Sequence, residues 1–176
     1  MHFKREKAMK IELVVEDSLR IRVGCDLLTS VLMWHRSEGA DSAFLELLAT
    51  HPSVSVKETV AGMDHLSVKT CGTLFACGER PVIRELLGNP SAASFFSKDQ
   101  LLELARQSDL ASVVADNLGT LVNADDDIAR MLASHEDPGV RYAVATNAGA
   151  PRKWVQTLLD DQDPDVASAA ARLVDD

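Results

Sequence analysis

The chain has 176 residues, 46% of them apolar, and a formal net charge of −9. That length and apolar content support one domain with a real core, or one domain with a small appendage. The first ten residues carry +3 (Lys4, Arg5, Lys7 and Lys10 against Glu6), which leaves −12 on the remainder; such an acidic body disfavours nucleic acid and anionic membranes but leaves a basic protein partner open.

Residues 1–10 read as a basic leader. The leader runs into Ile11-Glu-Leu-Val-Val-Glu16, where two acids break the apolar run that a signal peptide needs. No stretch approaches the roughly 18 apolar residues of a membrane helix. Cytoplasmic residence is therefore the default expectation. Ile11, Leu13 and Val15 alternate with polar positions, Asp17-Ser18 can turn, and Leu19, Ile21 and Val23 alternate again. Period two predicts a hairpin within residues 1–24, with a helix as the competing reading.

From residue 25 onward the pattern is helical. Leu27 to Trp34 and Phe44 to Leu48 carry apolar residues at helical spacing, separated by 37–41, with Asp41 or Ser42 available as a cap. Short helices with polar punctuation follow. Val68-Lys-Thr-Cys-Gly-Thr-Leu-Phe75 leads to Pro81, Ile83 and Leu86-Leu87. Ser97-Lys-Asp-Gln100 reads as a capping box ahead of Leu101, Leu102 and Leu104. Leu110-Ala-Ser-Val-Val-Ala-Asp-Asn117 leads through Gly119 to Ile128 and Leu132.

Near the C-terminus one phrase occurs twice, 26 residues apart: Leu132-Ala-Ser-His-Glu-Asp-Pro-Gly-Val140 and Leu158-Leu-Asp-Asp-Gln-Asp-Pro-Asp-Val166. A repeated helix end, turn and helix start is the signature of stacked helical units. Asp137 and Asp163 can cap helix N-termini, and Pro138 and Pro164 suit the first turn, where no N–H is missed. Ala143, Val144, Ala169 and Ala170 are small enough for one helix to lie closely on the next. Such short helices are marginal alone, so stacking must stabilise them. Laid over one another, the units pair Val68 with Val140, Lys69 with Arg141 and Cys71 with Ala143.

Within Leu132 to Val166, the elements Val140-Arg141, Ala145-Thr-Asn147, Pro151, Leu158 and Asp161-Gln-Asp-Pro164 resemble the leucine-rich repeat variant family, a relative of the HEAT-like helical repeats. The likeness is good over about 45 C-terminal residues, degenerate back to about residue 47, and absent from the first 40. It implies an all-α fold: a right-handed α-α superhelix, a short solenoid over residues 25–176, preceded by the leader and hairpin. One type of family member also carries an iron–sulfur cluster on clustered cysteines. Here Cys71 and Cys77 stand six apart and Cys25 is distant, with no fourth, so the cluster is not carried over. No cofactor is expected.

Candidate chemistry is sparse. Three cysteines are an odd set, in keeping with reduced thiols, and Cys71 reads as core filler. The histidines His2, His35, His51, His65 and His135 lack metal-ligand spacing, and Asp125-Asp-Asp127 and Asp160-Asp161-Gln-Asp163 read as caps and solvated acid. No nucleophile elbow, phosphate loop or dinucleotide fingerprint is present. Trp154 aligns with Ile128 and Ile83 and reads as core. Arg141, Arg152 and Lys153 form the best local basic spot, and Tyr142 is the aromatic best suited to a partner surface; Arg141 could instead pair with the acidic turn of a neighbouring unit. The expectation is a non-enzymatic interaction or scaffold module that uses Arg141, Tyr142, Arg152 and Lys153 against a protein partner. An enzyme or enzyme subunit with a groove-borne site and a nucleic-acid-binding helical repeat are the alternatives, and a homo-oligomer stays open.

Overall fold

The computed structural model describes residues 12–15, 19–22, 24–34 and 42–175. The basic leader at 1–10, the Asp17-Ser18 turn, the linker at 37–41 with its Asp41 cap, and His2 and His35 lie outside the described residues. The fold is multi-helical and all-α in class, with two short strands near its start. Glu12–Val15 (β1) and Leu19–Arg22 (β2) pair antiparallel, with Leu13 opposite Ile21 and Val15 opposite Leu19. No helix among the described residues is long and apolar enough to cross a membrane.

The chain divides into two compact units, Met1–Glu85 and Leu86–Asp176. In the first, α1 (Cys25–Trp34), α2 (Ser42–Leu48), α3 (Val54–Ala61) and α4 (Val68–Ala76) follow the strands. Here α3 packs on α1, α2 and α4. Helix α5 (Arg80–Gly88) spans the division. The second unit holds a 3₁₀ turn at Pro90–Ala92, then α6 (Lys98–Ala105), α7 (Ser108–Asp116), α8 (Asp126–Ala133), α9 (Pro138–Thr146), α10 (Arg152–Thr157) and α11 (Pro164–Asp175). Helix α9 packs between α7 and α11, while α8 packs between α6 and α10, and α6–α7, α8–α9 and α10–α11 are neighbours.

One register explains which residues these helices bury. Counted from the N-caps Ser53, Ser67, Gln107, Asp137 and Asp163, the third residue is Val56, Thr70, Leu110, Val140 or Val166, and the seventh is Val60, Leu74, Val114, Val144 or Ala170. All ten are at most 1% exposed. A spacing of three then four places both on one stripe, which is the core stripe. Each such valine or leucine contributes about 1.5–3 kcal/mol of burial, which short helices with few hydrogen bonds of their own require.

This register corrects one sequence alignment. Ser67 accepts the Thr70 N–H, so the helix begins one residue after the serine, and Val68 at its first position is 74% exposed. Thr70, not Val68, therefore occupies the place of Val140, and Cys71 the place of Arg141. A Val-Lys match to Val140-Arg141 carried less information than the cap. Cys71 is buried at 1% exposure, and that burial pushes its thiol pKa up. Ser97 and Gln100 form the reciprocal capping box that their spacing predicts.

Two glycines and an asparagine set how closely α9 approaches α7. Asn147 caps the end of α9, and its Nδ2 donates to the Ala115 carbonyl at 2.8 Å and the Asp116 carbonyl at 2.9 Å, at the end of α7. Its Oδ1 accepts the Gly149 N–H at 2.8 Å. Asn147 thus satisfies terminal carbonyls that the helix itself cannot. Beyond these bonds the backbones meet at Gly119 and Gly149: a Cβ built on Gly119 would lie 2.7 Å from the Gly149 Cα, and one on Gly149 closer still to the Gly119 Cα. Replacing Asn147 by alanine removes both carbonyl bonds and will destabilise the protein by about 1–3 kcal/mol, seen as a lower midpoint in urea unfolding. A midpoint equal to that of the unaltered protein would show the cross-link to be idle.

Candidate functional site

The turns that start the helices share a device. Two residues before each of three N-caps, a side chain accepts the cap residue's own N–H: His51 Nδ1 from Ser53 at 3.0 Å, His135 Nδ1 from Asp137 at 3.0 Å, and Asp161 Oδ1 from Asp163 at 2.9 Å. Asp137 then accepts the Gly139 N–H, and Asp163 accepts those of Asp165 and Val166.

Arg141 joins two of these turns. Its Nε and Nη2 donate to the two oxygens of Asp161 at 2.7 and 2.8 Å, while Nη1 donates to the carbonyls of His135 and Glu136 at 2.8 and 3.1 Å. Both side chains are only 7% exposed. The fork of the guanidinium matches the carboxylate, and backbone carbonyls take both Nη1 bonds, the kind of support a buried ion pair needs in order not to cost stability. The Arg141 hydrogen bonds hold the Asp161 carboxyl below the usual aspartate value, against the opposing effect of burial.

The acidic run at the start of α8 is likewise engaged. Asp125 caps the helix through the Asp127 and Ile128 N–H groups. Lys98 Nζ lies 2.5 Å from Asp125 and 2.8 Å from Asp127, while Asp126 accepts from Lys153 Nζ at 2.7 Å and Trp154 Nε1 at 2.8 Å. Hydrogen bonds from Lys98 lower the Asp125 pKa, and those from Lys153 and Trp154 lower that of Asp126. These charges tie the N-termini of α6, α8 and α10 together. Among the described residues no group of three histidines, cysteines or carboxylates is placed to hold a metal ion.

An open groove of about 460 Å³ runs between α9 and α11, lined by Pro138, Gly139, Tyr142, Asp163, Asp165, Val166 and Arg172. Tyr142 and Arg172 also line an adjoining hollow of about 230 Å³, with Ala145, Thr146, Ala169 and Leu173. Tyr142 is 41% exposed. The lining thus combines two carboxylates, one guanidinium, an aromatic ring and several small side chains. Tyrosine beside water-accessible charge concentrates binding energy when a partner covers it.

The four residues expected at a partner surface thus fall in four places. Arg141 is inside the fold, its guanidinium taken by Asp161 and two carbonyls, because the acidic turn that starts α11 lies within its reach; of the two roles its sequence allows, the structure displays the internal pair. Tyr142 faces the groove. Exposed Arg152 donates to the Val174 carbonyl, and Lys153 lies on Asp126 and 5.2 Å above the Trp154 ring. Trp154 is half-buried rather than core. Lys69, aligned in sequence with Arg141, is exposed and pairs with Glu46 at 2.6 Å. Sequence reasoning missed Asp165 and Arg172. Their only signal is the spacing of Asp165, Ser168, Arg172 and Asp175, which past Pro164 are the exposed positions of α11.

No family model, curated protein or solved structure matches this chain.

Proposed function

We propose that the chain is a non-enzymatic helical-repeat module of the leucine-rich repeat variant or HEAT-like type, which binds a protein partner through the α9–α11 groove. On this reading the second unit is a short right-handed solenoid and β1–β2 close as a hairpin. The common cap register of α3, α4, α7, α9 and α11 and the neighbour order α7–α9–α11 support the repeat. The observation that carries the binding role is Tyr142, a large aromatic 41% exposed in a groove that also presents Asp163, Asp165 and Arg172. Asp163 and Asp165 favour a partner segment bearing lysine or arginine, which could also stack on the ring.

Affinity capture from native lysate tests this with the intact protein, Tyr142→Ala and Asp165→Lys. Both variants are expected to lose a partner that the intact protein retains, at unchanged thermal stability, and a Lys153→Ala control is expected to keep it. Capture that is identical in all of them would discard the groove.

A further inference from the structure

We propose that the turn before α3, together with Lys57, is a binding site for a carboxylate ligand. Lys57 is the fourth residue after its N-cap Ser53, just as Arg141 is the fourth after Asp137. At Arg141 that place is completed by the carboxylate of Asp161. At Lys57 the burial is similar and the carboxylate is missing: the residue is 9% exposed, and among the described residues its ammonium has neither a hydrogen-bond acceptor nor an ion-pair partner. Yet no buried side-chain polar atom among the described residues lacks a partner. The ammonium must therefore keep contact with solvent while its stem is buried, so it is open to a ligand.

Further donors belong to the same turn. Helical side chains lean toward the N-terminus, which directs Lys57 at the turn holding His51, and its charge is felt by that ring. His51 is 7% exposed, and its Nδ1 accepts the Ser53 N–H at 3.0 Å. That bond places the proton of the neutral ring on Nε2, which makes Nε2 a donor. Burial first, and the Lys57 charge second, lower the His51 pKa and favour this neutral form. The Ser53 side chain makes no cap bond, so it leaves the first-turn N–H groups of Val54 and Ser55 for another acceptor. One cation, a neutral imidazole N–H and helix-end amides suit a monoanion with two acceptor oxygens. A free small carboxylate and the Asp or Glu side chain of a partner present the same head. This site is independent of the Tyr142 groove.

The test is amide-resolved NMR of the full chain during titration with sodium acetate, against sodium chloride at equal ionic strength. Sodium phosphate and a glutamate-containing peptide amide are separate arms. Acetate is expected to give saturable shifts centred on Ser53 to Lys57 that chloride does not give. Lys57→Met should weaken acetate by about tenfold or more, and Lys57→Arg should retain it. Tighter binding of the peptide than of acetate assigns the site to a protein side chain, and equal binding to small carboxylates. Shifts that chloride reproduces, saturation by phosphate but not acetate, or unchanged binding by Lys57→Met would each overturn the proposal. Should Lys57→Met fail to fold, the melting temperature of the unaltered chain decides: acetate must raise it above its value in chloride, and equal values refute the site.

Discussion

Gly149→Ala will lower the stability of the protein by about 2–3 kcal/mol, a cost typical of forcing extra volume into a close-packed contact. The added Cβ meets the Gly119 backbone well inside van der Waals distance. Backbone cannot swing aside as a flexible side chain can, so the two turns must separate. That movement also stretches the Asn147 bonds to Ala115 and Asp116. Gly119→Ala should behave alike, and the double variant should cost less than the sum, because one separation relieves both contacts. Gly88→Ala is the control, since nothing lies within 4 Å of its added Cβ. Urea unfolding of the four variants reads the result directly. Midpoints for Gly149→Ala and Gly88→Ala that agree would remove the close approach from the account of the fold.

Asp161→Ala will cost about 3–5 kcal/mol, the range for stranding one member of a buried ion pair. Arg141 would retain its two carbonyl acceptors and lose its counter-charge. Replacing both residues together, as Arg141→Met with Asp161→Leu, should recover much of the loss, because neither charge is then left buried alone. The pair also has a pH signature. The Asp161 carboxyl has a lower pKa folded than unfolded, chiefly through the Arg141 hydrogen bonds. Its contribution is therefore complete above the unfolded-state value and is lost as pH falls through the lowered folded value. Unfolding free energies measured from neutral pH into the acid range should fall more steeply for the unaltered protein than for Asp161→Asn. Parallel curves would mean that the pair does not couple to folding.

The parts of this fold that were legible in the sequence are those written in local chemistry. Asp137-Pro138 and Asp163-Pro164 announce helix starts because cap and first turn are decided within four residues, and Ser97 to Gln100 does the same. Val68 shows where local resemblance misleads: the valine–lysine pair matched Val140-Arg141, but the cap at Ser67 placed it at the exposed first position. The candidate site was only half visible. Tyr142 could be singled out because it is the chain's one tyrosine and stands beside Arg141 in the clearest repeat. Asp165 and Arg172 could not, since a groove is made by two helices and its lining depends on how they are set against each other. Arg141 was ambiguous for a related reason. Only a three-dimensional arrangement shows that Asp161, twenty residues on, sits within reach of its guanidinium.

Cys71, in the slot that Arg141 fills in α9, gives the first unit a built-in clock. A thiol that is 1% exposed and pushed toward its protonated form reacts with alkylating reagents only when α4 opens. With exposed Cys25 and half-exposed Cys77 changed to serine, the labelling rate of that single sulfur would time the breathing of the helix, residue-specifically and without any added probe.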